Sequence, residues 1–155
     1  MSSAPAEDGS HDEQQLAERI VAKMMEGDEF SRWLGIDVIG IAPNTATVRM
    51  TVRPEMVNGF GVCHGGIAFS LADSALAFAS NTHGRVTMSI ENSIRYPVPI
   101  APGDVLTATA VQESAGRRLA FFNVTVTKQG GHVVGLFRGT VYRTSRDHFE
   151  AENRS

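Results

Sequence analysis

The residues best suited to chemistry lie in a glycine-rich loop and at the start of the apolar helix predicted after it. The loop covers residues 58–66, and residues 67–79 are strong helix formers. The first N–H groups of a helix have no partner inside it and carry the positive end of its dipole. Because Gly65 has no Cβ, a ligand can approach its N–H closely. The pattern predicts either an oxyanion site at Gly65 and Gly66 or only a tight turn into the helix.

Asp73 is the second candidate group, because it interrupts a helix that is otherwise apolar on nearly every side. A carboxylate on such a helix is costly unless it is paired or functional. Either Asp73 acts as an acid or base, or it caps a neighbouring strand or meets an arginine. Perturbed carboxylates gather at active sites, and this favours the functional interpretation.

The spacing of Gly65 and Asp73 constrains how both groups reach one substrate. They are eight residues apart, which is about 12 Å along a helix that rises about 1.5 Å per residue. One substrate carbonyl therefore cannot meet both groups of the same helix. Two antiparallel copies of the helix in a dimer offset this distance, so that Gly65 of one subunit faces Asp73 of the other.

The loop holds three further polar candidates. Asn58 either orients a water or a carbonyl or forms an Asx turn before Gly59. The adjacent Cys63 and His64 make a poor nucleophilic dyad, since such a pair must be close in space rather than in sequence. His64 is instead expected to orient the loop. The histidines are scattered without the spacing of metal ligands, so neither a metal nor a cofactor is predicted.

Composition restricts the class of protein. The chain has 155 residues, of which 42% are hydrophobic and 20% charged, values typical of one globular domain. No apolar run approaches the length of about 18 residues that a membrane span needs. A net charge of -3 argues against a nucleic-acid surface, which should carry a basic excess. A single cysteine and an N-terminus without a secretory signal favour a reducing, cytoplasmic setting.

Helical and strand patterns predict an α+β architecture, in which a long helix packs against an antiparallel sheet. Residues 1–13 are polar and predict a disordered tail, whereas residues 14–145 form a single domain. A charged C-terminal tail is expected at residues 146–155. Apolar residues at helical spacing predict a short amphipathic helix at residues 14–25.

Residues 28–34 predict one more helical turn. Its Phe30, Trp33 and Leu34 are expected to pack on the core. In the strand after the long helix, Asn92 falls in an otherwise apolar phase and marks a bend or a local hydrogen bond. Because one helix covers only one face of a sheet, self-association is expected. Alternating patterns and turn signals predict strands at residues 45–52, 86–96, 106–111, 122–126 and 133–142.

The loop and the long helix together resemble the hotdog-fold acyl-CoA thioesterases, and within them the phenylacetic acid degradation (PaaI) group. The pattern of that group is N-x-x-G-x-x-H-G-G followed by L-x-D on the central helix, and the whole spaced set is fairly specific. The resemblance covers about residues 30–143. The pattern is complete here, at Asn58, Gly61, His64, Gly65, Gly66, Leu71 and Asp73.

The resemblance implies a hotdog fold, in which a curved antiparallel β-sheet wraps a long central helix, here with a short N-terminal helix. It also implies active sites shared across a homodimer, with dimers commonly pairing into tetramers. Neither nucleic acid nor membrane is expected as a partner. The implied substrate is an acyl-CoA, of which phenylacetyl-CoA or a hydroxyphenylacetyl-CoA fits the group.

By the same resemblance, Asp73 matches the catalytic acid, which acts as general base toward water or as nucleophile on the thioester carbon. Gly65 matches the residue whose backbone N–H polarises the thioester carbonyl, and Asn58 the residue that holds substrate or lytic water. Ser89 is the candidate for the Ser or Thr that some relatives use on the strand after the helix. Ala77 stands where others carry a helper hydroxyl, so that role is absent.

His64, Gly66 and Phe60 are the candidate substrate-binding residues. Phe60 is a possible wall of a pocket for an aromatic or medium-length acyl group. The phosphates of coenzyme A need cationic contacts, although each arginine alone is equally explained as a solvated charge at a strand end. The candidates are Arg95, Arg117, Arg118, Arg138 and Arg143.

Three alternatives compete with the thioesterase. A non-catalytic acyl-CoA sensor on the same fold would normally need a DNA-binding segment, and the first 34 residues show no basic patch. A hotdog dehydratase or hydratase usually pairs a catalytic histidine with an acid, and His64 on the loop fits that arrangement poorly. A purely structural oligomeric module leaves Asp73 inside an apolar helix unexplained.

Overall fold

Six antiparallel strands form one sheet, and the helix α3 packs across it. The computed structural model describes residues 7–150. The helices are α1 (Glu7–Gly27), α2 (Glu29–Leu34) and α3 (Gly65–Asn81), and a short 3-10 turn covers Pro54–Met56. The strands are β1 (Asp37–Ala42), β2 (Thr45–Thr51), β3 (Arg85–Arg95), β4 (Val105–Ala115), β5 (Leu119–Lys128) and β6 (Val133–Asp147).

The sheet order is β1-β2-β4-β5-β6-β3, so β1 and β3 are its edges. The helix α3 begins two residues before the predicted segment and ends two residues after it. Its buried face consists of small and apolar side chains, which pack on inward-facing residues of the strands. The predicted α+β architecture is confirmed. The residues of α3 without any exposed surface are Ala68, Leu71, Ala72, Ala75, Leu76, Phe78 and Ala79.

Close packing between α3 and β6 depends on a glycine. A Cβ at Gly139 would overlap the side chain of Leu76 and would lie 2.9 Å from Asn92 Oδ1. Neither neighbour is the free end of a surface side chain, because Leu76 is fully buried and Asn92 Oδ1 is also buried. The missing side chain therefore lets α3 approach the pair of strands β3 and β6, which carry the polar residues beside Asp73.

The helical turn predicted at residues 28–34 is present as α2. Asp28 caps it by accepting a hydrogen bond from the backbone N–H of Ser31 at 2.9 Å, and Leu34 is fully buried. Phe30 and Trp33 were expected on the core, and that prediction is wrong, because each is 53% exposed. Their rings stack on each other with centroids 5.9 Å apart. This contact shields part of each ring from solvent, although neither ring lies in the core.

The N-terminal helix is longer than predicted. It begins at Glu7 instead of residue 14, so the expectation of a disordered tail is wrong for residues 7–13, and residues 1–6 lie outside the described part. Gln14 Nε2 donates to the carbonyl of Ile41 at 2.6 Å, which ties the helix to β1. Gln15 and His11 are also hydrogen-bonded one turn apart at 2.8 Å. Polar side chains four residues apart can stabilise a helix by hydrogen bonding to each other, so a polar segment is not necessarily a disordered tail.

The C-terminal segment is also ordered further than predicted. The strand β6 continues to Asp147, so the expected charged tail from residue 146 is wrong for residues 146–150, and residues 151–155 lie outside the described part. His148 Nε2 is hydrogen-bonded to Asn81 Oδ1 at 2.7 Å. The guanidinium of Arg19 lies 4.8 Å from the centroid of the Phe149 ring. These contacts fasten the chain end to α3 and α1.

The edge strand β3 departs from regular alternation. Its pairing with β6 shifts between Arg85 and Thr87 and again between Ser89 and Glu91. A bulge turns the residues after it toward the other face of the sheet. Met88 and Ile90, the large apolar residues of this strand before Asn92, are 57% and 61% exposed.

Within residues 7–150, none of the helices combines the length and the apolarity that a membrane crossing requires.

Candidate active site

The loop before α3 is held by hydrogen bonds around Asn58. The Asn58 side-chain Oδ1 accepts from the backbone N–H of Phe60 at 2.9 Å, which is an Asx turn. The Asn58 carbonyl accepts from the Gly61 N–H at 3.0 Å, and Gly61 has a φ of 77°. Of the two interpretations of Asn58, the turn is therefore present. Its amide Nδ2 has no hydrogen-bond partner among residues 7–150 and remains available as a donor.

His64 forms the N-cap of α3. Its Nδ1 accepts from the backbone N–H of Gly66 at 3.0 Å, so the neutral ring carries its proton on Nε2. The Gly66 N–H is thereby occupied. The Gly65 N–H forms no hydrogen bond within residues 7–150, and it lies at the positive end of the helix dipole. The free donor at this helix start is thus Gly65 alone rather than the Gly65 and Gly66 pair.

Tyr96 lies against Gly65 and was not predicted as a site residue. Its hydroxyl donates to the Gly65 carbonyl at 2.7 Å, and a Cβ at Gly65 would lie 3.0 Å from that hydroxyl oxygen. A cavity of about 290 Å³ opens here. The signal in the sequence was a tyrosine at the end of the β3 pattern. The cavity is lined by Val62, Cys63, His64, Gly65, Tyr96, Val98, Pro99 and Ile100.

Asp73 is half-buried on α3 and meets two polar side chains of β3. Asn92 Nδ2 donates to Asp73 Oδ1 at 3.0 Å and also lies 3.3 Å from Ser89 Oγ. Ser89 and Asn92 are three positions apart, so a regular strand would direct them to opposite faces. The shift in pairing between Ser89 and Glu91 brings both to the side of Asp73.

Burial raises the pKa of Asp73 above its ordinary value of 3.8. Hydrogen bonds from Asn92 and Ser89 oppose this shift and lower the pKa, whereas the negative charge of Asp28 raises it. Asp28 is close because it caps α2, where Ser31 Oγ lies 2.9 Å from Ser74 Oγ of α3. A carboxylate that is partly desolvated, yet hydrogen-bonded in its ionised form, is suited to accept a proton.

Asn92 is a partner of Asp73 that the sequence did not identify. It was noted only as a polar residue in an apolar phase that marked a bend or a hydrogen bond. The phase was a usable signal, because a buried amide must find a partner. Here its Nδ2 does so on Asp73, whereas its Oδ1 is buried without a partner among the described residues. A buried acceptor without a hydrogen bond costs free energy of folding, and the contact of Asn92 with Asp73 gives a reason for an asparagine at this position despite that cost.

Cys63 is not a nucleophile in this arrangement. It is buried, and burial, with a contribution from the charge of Asp104, raises the pKa of its thiol to about 11. The thiol therefore stays protonated at neutral pH, and it lies 3.6 Å from the carbonyl of His64. Among residues 7–150 there is also no group of three or more His, Cys, Asp or Glu side chains able to hold a metal ion.

The predicted site residues form two groups. Asn58, Phe60, His64, Gly65 and Gly66 lie together at the loop and helix start, and Phe60 is 91% exposed at the tip of that loop. Asp73 and Ser89 lie together further along α3, with Asn92 beside them. Because Gly65 and Asp73 belong to one continuous helix, about 12 Å of axial rise separates the two groups.

Known proteins are similar to this chain in sequence and in fold over most of their length. The thioesterase superfamily pattern matches residues 60–135. A putative esterase of Archaeoglobus fulgidus is 37% identical over 133 residues, covering 86% of this chain and 86% of that protein. The acyl-coenzyme A thioesterase PaaI of Escherichia coli is 39% identical over 120 residues, covering 77% of this chain and 86% of that protein.

Solved structures agree with the sequence comparison. The Escherichia coli PaaI protein from the phenylacetic acid degradation operon has a TM-score of 0.85 and 36% identity, over 86% of this chain and 97% of that chain. A Streptococcus mutans protein solved with acetyl CoA bound has a TM-score of 0.69 and 26% identity, over 72% and 90%. The expected family and fold are confirmed. The chain therefore belongs to the thioesterase superfamily, as a hotdog-fold thioester hydrolase of the PaaI group.

Proposed function

We propose that this protein hydrolyses an acyl-CoA thioester, of the phenylacetyl-CoA or hydroxyphenylacetyl-CoA type, to the free acid and coenzyme A. The observation that carries the proposal is that α3 presents both a Gly65 N–H without a partner among residues 7–150 and a half-buried Asp73 carboxylate. The names of the relatives support it, since one is an acyl-coenzyme A thioesterase and another binds acetyl CoA.

The proposed chemistry uses Gly65 and Asp73 at different atoms of the thioester. The Gly65 N–H donates to the carbonyl oxygen, where negative charge develops as the carbonyl carbon is attacked. Asp73, as general base, takes a proton from the attacking water. The tetrahedral intermediate then collapses, the C–S bond breaks, and the coenzyme A thiolate leaves and is protonated. In the alternative route, Asp73 itself attacks the carbonyl carbon, the C–S bond breaks and coenzyme A leaves as its thiolate. Water then hydrolyses the mixed anhydride to the free acid and the Asp73 carboxylate.

Five further residues are proposed around these two. The free Nδ2 of Asn58 would hold the substrate or the lytic water, and Ser89 would help to orient that water at Asp73. The Nε2–H of His64 and the exposed ring of Phe60 would contact the substrate. Gly66 would contribute by leaving room for the substrate, since its own N–H already donates to His64.

We further propose that each site is shared by two subunits of a homodimer. The separation of about 12 Å along α3 prevents one subunit from presenting Gly65 and Asp73 to the same carbonyl. The strand β3 is an unpaired edge of the sheet, and its apolar Met88 and Ile90 are exposed. Pairing of two β3 edges would bring Gly65 of one subunit toward Asp73 of the partner subunit.

A tetramer built from two such dimers is the proposed full assembly. Large apolar side chains stay exposed on the strands β4, β5 and β6. The neighbours of Phe121 in its strand, Ala120 and Phe122, are buried against α3, so Phe121 itself points to the opposite face of the sheet. A second dimer would cover that face. The exposed residues are Val111, Leu119, Phe121, Leu136 and Tyr142.

A cytoplasmic location of the protein also remains a prediction.

The function is tested by measuring thiol release from a panel of acyl-CoA esters. The panel contains phenylacetyl-CoA, its ring-hydroxylated forms, and straight-chain esters of short and medium length. The expected result is the highest kcat/KM on an aryl-acetyl ester. A preference for straight chains would contradict the aryl assignment, and binding of every ester without thiol release would contradict the enzyme.

Asn92→Ala is expected to move the acidic limb of the kcat/KM profile to higher pH. The Asn92 hydrogen bond lowers the pKa of Asp73, so its loss raises that pKa, and the base is then protonated over a wider acidic range. The measurement is a profile of kcat/KM between about pH 4 and pH 9, a range that begins near the ordinary pKa of an aspartate and extends above it.

The control for Asn92 is Asn123→Ala, since Asn123 holds Arg138 by a hydrogen bond of 3.2 Å without touching Asp73. This variant should keep the profile of the unmodified protein. A uniform fall in rate at every pH after the Asn92 change would show a structural role and contradict the positioning of Asp73.

A further inference from the structure

Tyr96, the residue directly after β3, holds the helix start that carries the proposed oxyanion donor. Its hydroxyl donates to the Gly65 carbonyl at 2.7 Å. A Cβ at Gly65 would lie 3.0 Å from the hydroxyl oxygen and 3.2 Å from Cζ of the same ring. Tyr96 therefore occupies the space that a side chain at position 65 would need, and it restrains Gly65 through both its hydroxyl and its ring.

The hydrogen bond from Tyr96 is not needed to satisfy the Gly65 carbonyl. Gly65 is the first residue of α3, and a carbonyl within an α-helix accepts from the N–H four residues later. The hydroxyl of Tyr96 uses the second acceptor position that every carbonyl oxygen has. The bond therefore adds a restraint on this peptide group rather than a partner that the helix would otherwise lack.

Gly65 is a residue at which such a restraint has an effect, because glycine has the least restricted backbone torsions. The peptide group before it is held by the His64 carbonyl, which accepts from the Ile67 N–H at 2.9 Å. The peptide group after it is held at both ends. Tyr96 binds its carbonyl, and the Gly66 N–H donates to His64 Nδ1 at 3.0 Å. Together these bonds fix the direction of the Gly65 N–H.

Two side chains from β3 and its end contact α3 at matching intervals. Asn92 Nδ2 donates to Asp73 Oδ1 at 3.0 Å, and the Tyr96 hydroxyl donates to the Gly65 carbonyl. The step from Gly65 to Asp73 is about 12 Å along a helix, and the four residues from Asn92 to Tyr96 span about 13 Å in an extended chain. Each of the two groups proposed for the chemistry is thus held from the same strand.

We propose that Tyr96 is a positioning residue for the oxyanion donor, because its hydroxyl fixes the direction of the Gly65 N–H. The inference rests on the proposed thioesterase activity. It gives Tyr96 the role toward Gly65 that Asn92 has toward Asp73. Because both side chains come from β3 or directly after it, pairing of two β3 edges in the proposed dimer would set the positions of both reacting groups together.

The Tyr96 hydroxyl keeps its proton over the pH range of an activity assay. Burial raises the pKa of Tyr96 above its ordinary value of 10, and the thiolate of Cys63, once formed, raises it further. The hydrogen bond to Gly65 is therefore present between about pH 4 and pH 9. Because a backbone N–H does not titrate in this range, loss of the bond should lower the rate by the same factor at every pH.

The test replaces Tyr96 by phenylalanine, which keeps the ring and removes only the hydroxyl. Tyr96→Phe should lower kcat on the preferred thioester by about three- to tenfold, the effect of one neutral hydrogen bond. KM and the acidic limb of the kcat/KM profile should not change, because the donor acts on charge that develops in the transition state. A higher KM with unchanged kcat, or a shifted acidic limb, would overturn the positioning of Gly65.

The matched control is Tyr142→Phe, which removes the hydroxyl of the other tyrosine in the chain. That hydroxyl accepts from Arg118 at 3.4 Å, and Tyr142 should therefore lose no activity on conversion to phenylalanine. An equal fall of kcat in both variants would overturn the assignment, since removal of any tyrosine hydroxyl would then have the same effect.

A measurement without substrate separates this inference from the proposed activity. Nitrogen-15 relaxation gives the order parameter of the Gly65 amide, which reports how far its N–H direction fluctuates on the picosecond to nanosecond timescale. Tyr96→Phe should lower this value, whereas the amide of Ala75, buried in the middle of α3, should keep its own. Tyr142→Phe should change neither.

The relaxation result decides the inference whether or not a thioester is hydrolysed. An unchanged order parameter at Gly65, or an equal decrease at Gly65 and Ala75, would overturn the positioning role of Tyr96. A decrease confined to the start of α3 would support that role. If this decrease is found in a protein that hydrolyses no ester of the panel, Tyr96 still fixes the Gly65 N–H, and only the proposed function fails.

Discussion

Asp73→Asn is expected to lower kcat on the preferred thioester by about 10²- to 10⁴-fold, the usual contribution of a general base. Asparagine keeps the size of the side chain and still offers an oxygen to the Asn92 amide, which donates to Asp73 at 3.0 Å. What disappears is the ability to take a proton or to attack the carbonyl carbon. The measurement is steady-state thiol release by both proteins on the same ester.

Stability provides an independent readout for Asp73. Because burial raises the pKa of Asp73 above 3.8, the folded protein binds this proton more tightly than the unfolded chain does. The contribution of Asp73 to stability is therefore greatest below the ordinary pKa and declines as the pH rises through the folded value. Asp73→Asn removes this decline, so its Tm at pH 7 should equal or exceed that of the unmodified protein, and the difference should shrink toward acidic pH.

The matched control for Asp73 is Asp28→Asn. Asp28 is also a half-buried aspartate, and asparagine is equally able to cap α2. Loss of its charge slightly lowers the pKa of Asp73, so activity should be kept at neutral pH. If Asp73→Asn retained more than about a tenth of the rate, a general-base role would fail, since the smallest typical contribution of such a base is about 10². Unchanged oligomeric state, checked by gel filtration, excludes loss of assembly as the cause.

Local pattern was enough to predict the long helix and the loop before it. The helix signal in residues 67–79 comes from consecutive side chains whose burial depends on their own spacing, and the observed α3 extends it by only two residues at each end. The free Gly65 N–H follows from its place as first residue of that helix, a property of any helix start. The pattern assigned the oxyanion site to Gly65 and Gly66 together, and it did not show that the His64 side chain accepts from the Gly66 N–H.

The surroundings of Asp73 were not predictable, because they depend on pairing between distant strands. Ser89 and Asn92 lie on the same face of the sheet only because β3 shifts its register against β6. The sequence of β3 contains no signal that predicts this shift. The predictions for the two ends of the chain were wrong for a similar reason. His148 is held by Asn81, and Gln14 by the carbonyl of Ile41, and neither partner is a neighbour in sequence.

Gly65→Pro is expected to lower kcat/KM by about 10²- to 10³-fold, the range seen when one oxyanion donor is removed. Proline is the favoured residue at the first position of a helix, where the N–H that its ring replaces has no partner inside the helix. The preceding His64 has φ -60° and ψ 133°, a conformation that a following proline accepts. The backbone is therefore already suited to proline, and the variant deletes the proposed donor without breaking α3.

Gly65→Ala distinguishes the effect of losing the N–H donor from the effect of adding a Cβ at this position. Both variants introduce a Cβ, which would lie 3.0 Å from the Tyr96 hydroxyl, and alanine alone keeps the N–H. The Ala variant should lose a small part of the activity through displacement of Tyr96, and the Pro variant should lose the large factor in addition. Because the proline ring also occupies the position of the donor hydrogen, the ratio of kcat/KM between the two variants is an upper limit for the contribution of the N–H. Equal activity of both variants, with equal helix content by circular dichroism, would show that the Gly65 N–H does not stabilise the developing oxyanion and that the glycine serves only the turn into α3.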